Sequence, residues 1–176
     1  MSARRDTMNC CLCDVGAVMR DGFEMGNLWY NEPKSLDTAY DVMGDVIINT
    51  AAMQYGGFTV PEVDTILTPY AKKSYNKYYD EYMEITNNED PEKAEEYAWK
   101  KTRRECEQGY QGIEYKLNTV SSSRGDYPFV TFSFGIDTDE FAKLITRVML
   151  DVHREGQGKK GFKRPTLFPK LVFLYD

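Results

Sequence analysis

Three of the four cysteines crowd into Cys10-Cys11-Leu12-Cys13. A thiol on the end of a buried strand is shielded from water, which suits hydrogen-atom transfer or thiolate chemistry. The same residues also read as small buried hydrophobes, a common fate of free cysteine. Four cysteines are too few for a disulfide framework, and a reducing cytosol would keep all of them as thiols. A metal centre would need four ligands; the cluster offers three, and Cys106 and His153 fall on distant helices, so no metal site is assigned. His153 is the sole histidine, near a helix C-terminus and followed by Arg154, where a capping or surface role fits better than general-base work. From His153 to Lys170 there are six cations (Arg154, Lys159, Lys160, Lys163, Arg164 and Lys170) against one glutamate, which reads as a solvated loop or as an anion site, for example for a triphosphate. Ser121-Ser122-Ser123-Arg124-Gly125 has hydroxyls and backbone freedom for phosphate contact, without the G-x-x-x-x-G-K-[ST] pattern of a P-loop. No G-x-S-x-G elbow occurs.

The elements that position these residues can be read from periodicity. Asn9 to Val15 reads as a buried strand, and the segment 22–35, with Gly22, Gly26 and Pro33, as a loop able to approach something closely. Ser35 or Asp37 caps a helix carrying Leu36, Ala39, Tyr40, Met43, Ile47 and Ala51, which Gly56-Gly57 ends. A helix from Pro61 in its first turn to Ile85 follows, with Pro69 expected to kink or split it. Asp90 and Pro91 then start a helix reaching about Asn118, and the two long helices form an antiparallel hairpin. Its tyrosine-rich face packs internally or against a partner subunit. Tyr127 to Gly135 is a strand, Asp137 to Gly156 a helix capped by Asp137 or Thr138, and Leu167 to Tyr175 a last apolar strand.

That order predicts an α/β fold with a largely parallel sheet covered on both faces. Three strands are few for such a sheet, so the chain reads as a single partial domain over residues 1–176. Its length and 41% hydrophobic content support one core. A net charge of −6 argues against nucleic-acid binding. No apolar run is long enough to span a membrane and no secretory signal leads the chain, which predicts a cytoplasmic protein.

Six segments, MNCCLCDV, GFEMGNLWYNEPKS, QYGGFTVPEVDTILTPYAKKSYNKY, RECEQGYQGIEYKLNT, PFVTFSFG and LFPKLVFLYD, taken in order, resemble the catalytic domain of the anaerobic class III ribonucleoside-triphosphate reductases, a glycyl-radical family. The resemblance implies part of a ten-stranded α/β barrel made of two five-stranded halves, with a long helical hairpin, and an oxidoreductase that reduces ribonucleoside triphosphates by thiyl-radical chemistry. It implies that an early-strand cysteine takes part in reduction at the 2′ carbon. The family's N-C-x-L pattern places that cysteine at Cys10 after Asn9, with Cys11 as fallback and Cys13 as ordinary core. Asn9, Ser121, Ser122 and Ser123 are the candidates for substrate contact. The resemblance also implies a homodimer through the hairpin 61–118 and a radical-SAM activating enzyme as partner.

The sequence lacks a finger-loop cysteine, a glycyl-radical loop, the zinc cysteines and an N-terminal nucleotide-binding cone. No cofactor is therefore expected within the chain; the glycyl radical, formate as reductant, the ATP and dNTP effectors and the structural zinc belong to the rest of a full-length member. The chain is expected to be inactive alone, to be a truncated, split or deliberately shortened form, and to expose Leu171-Val172-Phe173-Leu174 at an open edge. The alternative reading is a non-catalytic dimerisation or nucleotide-sensing module built from the same segment.

Overall fold

A computed structural model describes residues 11–52, 56–87, 89–120 and 127–175. In chain order these form β1 (Cys11–Leu12), α1 (Val15–Asp21), β2 (Phe23–Met25), β3 (Leu28–Tyr30), α2 (Leu36–Ala52), β4 (Phe58–Val60), α3 (Val63–Ile85), α4 (Pro91–Thr119), β5 (Val130–Phe134), α5 (Glu140–Glu155) and β6 (Lys170–Phe173). The fold is mixed α/β, and the described strands do not close into a barrel.

The main sheet has the order β1-β4-β5-β6, parallel throughout. The parallel arrangement agrees with the sequence reading, but β4 was not anticipated: three residues between Gly57 and Pro61 are too few to display a two-residue period. Other boundaries differ too. The first strand ends at Leu12, short of the expected Val15, because the Asp14 carboxylate accepts a hydrogen bond from Ala17 N and starts α1 there. The expected loop at 22–35 contains a hairpin, with Phe23 paired to Tyr30 across a turn at Gly26-Asn27 and their rings stacked at 4.9 Å. α5 is capped by Asp139, one residue beyond the expected positions, while Asp137 accepts from Asp139 N. The strands at 127–135 and 167–175 shorten to β5 and β6.

α3 begins after Pro61 and runs unbroken through Pro69. Proline removes one hydrogen bond, to the Thr65 carbonyl, but both residues lie on an exposed side of the helix, where the free carbonyl is open to solvent and the helix continues. α4 starts as expected, with Asp90 accepting from Lys93 N and Pro91 in the first turn. α3 and α4 pack antiparallel, Tyr82 against Tyr97 and Tyr75 against Trp99. Part of the aromatic face is satisfied inside the chain, since Trp99 and Tyr75 both meet Phe141 of α5.

Close approach of α2 and α4 depends on Gly109, where an added Cβ would lie 2.3 Å from the Tyr40 ring. Gly109→Ala should therefore destabilise by about 1–3 kcal/mol through overpacking, although alanine in an unhindered helix gains about 1 kcal/mol over glycine. Gly112→Ala, one turn on with open space around its Cβ, should show the unopposed gain. Urea unfolding of the two variants checks both; a stabilised Gly109→Ala would contradict the packing.

At the junction of α2, α3 and α4, Glu105 is buried and its Oε1 accepts from Asp37 N at 3.2 Å. Ser74, whose hydroxyl accepts from Leu36 N, lies beside it. Burial, and then the neighbouring Asp37 carboxyl, push the Glu105 carboxyl above its ordinary range. A carboxyl raised on folding contributes fully below its unfolded value of 4.5 and loses that contribution as pH rises through the folded value. Glu105→Gln should thus be more stable than the parent at pH 7, with the gain shrinking toward pH 4 in denaturation curves across that range.

Candidate active-site face of the sheet

The strands are stepped in one direction, β1 to β4 to β5 to β6. Parallel crossovers are right-handed, so a sheet wound in one direction carries its connecting helices on one face. Burial follows. Phe58, Val60, Val130 and Phe132 all point to one side and are 0% exposed, packed into the core with the helices. The cross-strand row Leu12, Thr59, Thr131 and Lys170 points the other way. There Leu12 is 73% exposed and Val172, further along the same face, 44%. This corrects the expectation of a sheet covered on both faces, which parallel sheets ordinarily are. The reason is the winding: a sheet covered on both faces requires a reversal of strand order, and none occurs here.

The carboxyl ends of the strands are held rigidly. Asp64, buried at the start of α3, accepts from Gly135 N at 3.0 Å and from Thr146 Oγ1 at 3.3 Å, joining the end of β5 to α3 and α5. Ser133 accepts from Glu62 N at 3.1 Å. Gly135 has φ 114, and a Cβ there would stand 2.6 Å from the Phe173 ring. The sequence signal for Asp64 is a carboxylate beside the apolar stripe Val63-Leu67-Tyr70.

Of the anticipated site residues, Asn9, Cys10, Ser121, Ser122 and Ser123 lie outside the described residues. Cys11 pairs with Phe58 in the ladder. Cys13 is half-buried against the core, its N–H donating to Thr59 O at 3.3 Å. Cys106 is buried on α4, 3.2 Å from the Tyr40 hydroxyl, and burial pushes its thiol up to about 12. It is held as a neutral thiol, suited to packing and unsuited to thiolate chemistry. Among the described residues no group of three or more potential metal ligands converges.

His153 is not a free cap. Its Nδ1 lies 2.7 Å from Oε1 of Glu114, a fully buried carboxylate on α4. Gln157 Nε2 and Thr166 Oγ1 donate to the same carboxylate at 3.2 and 3.4 Å. One turn on, Asn118 accepts from Leu167 N and Phe168 N and donates to Phe168 O. The end of α4 thereby fixes the segment leading into β6. Of the six cations expected nearby, Arg154 pairs with Asp151, Lys163 with Glu155, and Lys170 lies over the Phe129 ring. Among the described residues, Lys159, Lys160 and Arg164 have no ion-pair partner.

The arrangement defines a mixed α/β unit, helices behind and one sheet face open, with Cys11 in its first strand and Cys13 just after it. The chain belongs to the anaerobic ribonucleoside-triphosphate reductase family, whose sequence profile matches residues 2–176. It is 36% identical over 170 residues to the anaerobic ribonucleoside-triphosphate reductase of Enterobacteria phage T4, covering 96% of this chain and 27% of that protein. The reductases of Escherichia coli K12 and Haemophilus influenzae are each 39% identical over 165 residues, covering 94% of this chain and 22% of theirs. The chain thus spans about a quarter of the length of these relatives.

Proposed function

We propose that this chain forms the early part of a reductase catalytic barrel, in which ribonucleoside triphosphates are reduced to deoxyribonucleoside triphosphates by thiyl-radical chemistry, with Cys10 as the active-site thiol it contributes. The observation that carries the reading is the open face. A one-way parallel sheet leaves a face bare until further strands close it around an interior. Cys10 precedes Leu12 by two residues, one full side-chain period of a strand, and Leu12 is on the open face; Cys11 precedes it by one. That spacing favours Cys10 over Cys11 for a thiol facing substrate. The strand ends fixed by Asp64 and Asn118 hold the wall on which substrate would lie.

In full-length members the glycyl radical would supply the hydrogen-abstracting power, with formate as reductant, a structural zinc and the activating enzyme contributed from beyond this segment. The chain's own share is to place a thiol with a weak S–H bond against the ribose and to keep water from it. Asn9 and Ser121 to Ser123 are proposed to contact substrate, the hairpin 61–118 to pair two copies, and the cytoplasm to be the compartment. Among the described residues no helix is long and apolar enough to cross a membrane.

Incubation of the chain alone with a ribonucleoside triphosphate, formate and activating enzyme under strict anoxia should give no deoxynucleotide; turnover would overturn the division of labour. Sedimentation of the chain should show a dimer that an added charge on an exposed position of the hairpin, such as Tyr115→Glu on α4, disperses.

A further inference from the structure

The loop after α5 is a built structure. Gln157 and Arg164 exchange backbone hydrogen bonds at 2.9 and 2.8 Å, and Phe162 N donates to Lys159 O at 2.8 Å, closing a β-turn over Lys159-Lys160-Gly161-Phe162. Gly161, at the third position with φ 85, supplies the left-handed conformation a type II turn needs. Gly156, with φ 72, admits the returning strand, since a Cβ there would sit 2.3 Å from Arg164 O. Gln157 and Thr166 are tied to the buried Glu114, so the base of the loop is anchored to α4.

This anchored hairpin carries Lys159, Lys160 and Arg164 without an ion pair among the described residues, on a chain of net charge −6, and its turn ends in Phe162, 78% exposed. Clustered cations on a pre-ordered turn attract a compact polyanion at little ordering cost. An aromatic ring left in water beside them offers a stacking surface for a base. We propose that the 157–164 hairpin binds the polyphosphate chain of a nucleotide, with Lys159, Lys160 and Arg164 holding the phosphates and Phe162 stacking on the base. The inference rests on the loop itself and stands apart from any role for Cys10.

Calorimetric titration of the 176-residue chain with inorganic tripolyphosphate and with ATP tests it. Both should bind, more weakly as salt rises, since exposed charges are screened beyond about 10 Å at ~0.1 M salt. Lys159→Ala/Lys160→Ala/Arg164→Ala together should cost at least about tenfold in affinity for tripolyphosphate without moving the unfolding midpoint, because exposed unpaired side chains contribute little to stability. ATP should bind more tightly than tripolyphosphate by about fivefold or more, and Phe162→Ala should erase that margin. Gly156→Ala retains every charge and should still lose affinity by deforming the hairpin. Absence of saturable tripolyphosphate binding by the parent chain, or equal binding by the triple variant, overturns the site. Equal binding of ATP and tripolyphosphate overturns the part given to Phe162, and unaltered binding by Gly156→Ala overturns the pre-ordered geometry.

Discussion

Replacing Cys10 by serine, in a chain of the relatives' full length that carries this segment, should abolish deoxyribonucleotide formation while the glycyl radical signal persists in electron paramagnetic resonance. Serine preserves size and polarity but its O–H bond is far stronger than S–H, so the hydrogen transfer asked of this position fails. Loss of an essential catalytic group can reach about 10⁶-fold, so a fall below the detection limit of a nucleotide assay is the expected reading. Cys11→Ser should retain product, because its spacing from Leu12 is half a side-chain period. Survival of activity in Cys10→Ser with loss in Cys11→Ser would transfer the role to Cys11 and contradict the argument from the open face. Loss of the radical signal itself in Cys10→Ser would indicate damage to the fold rather than to the chemistry.

The second large effect concerns stability. Phe132 lies on β5, with Val60 of β4 on one side and Leu171 of β6 on the other, fully buried against the helices. Phe132→Ala removes a ring from a site with rigid neighbours and should cost about 3–5 kcal/mol. Against a total of about 5–15 kcal/mol for a native domain, that is a loss the chain can scarcely withstand. Thr131→Ala, one residue earlier and turned to the open side, should cost no more than about 0.5 kcal/mol in the isolated chain. Urea denaturation of the two variants reads the contrast directly. Similar losses at both positions would mean that something already covers the Thr131 side.

The long helices were legible because their apolar spacing persists over several turns, and because Asp90 with Pro91 marks a start that little else explains. Short strands were not. β4 has three residues and the β2–β3 hairpin three on each side, and at that length Phe58-Thr59-Val60 resembles any loop with a β-branched tail. Handedness of winding was missed for a related reason: without β4 there was no sequence of strands whose direction could be followed. The partnership of His153 with Glu114 was hidden because it joins positions 39 residues apart, and helix-end electrostatics offered a sufficient local explanation. Family resemblance, by contrast, was visible in six short segments, since their order carries information that their individual compositions lack.

The one-way winding of the sheet has a further consequence. Each strand carries its connecting helices to the same side, so the α3–α4 hairpin could lengthen, shorten or acquire new surface contacts without disturbing the spacing of groups on the open face. Changes on the helical side and on the open face of the sheet can therefore accumulate at different rates within a single polypeptide.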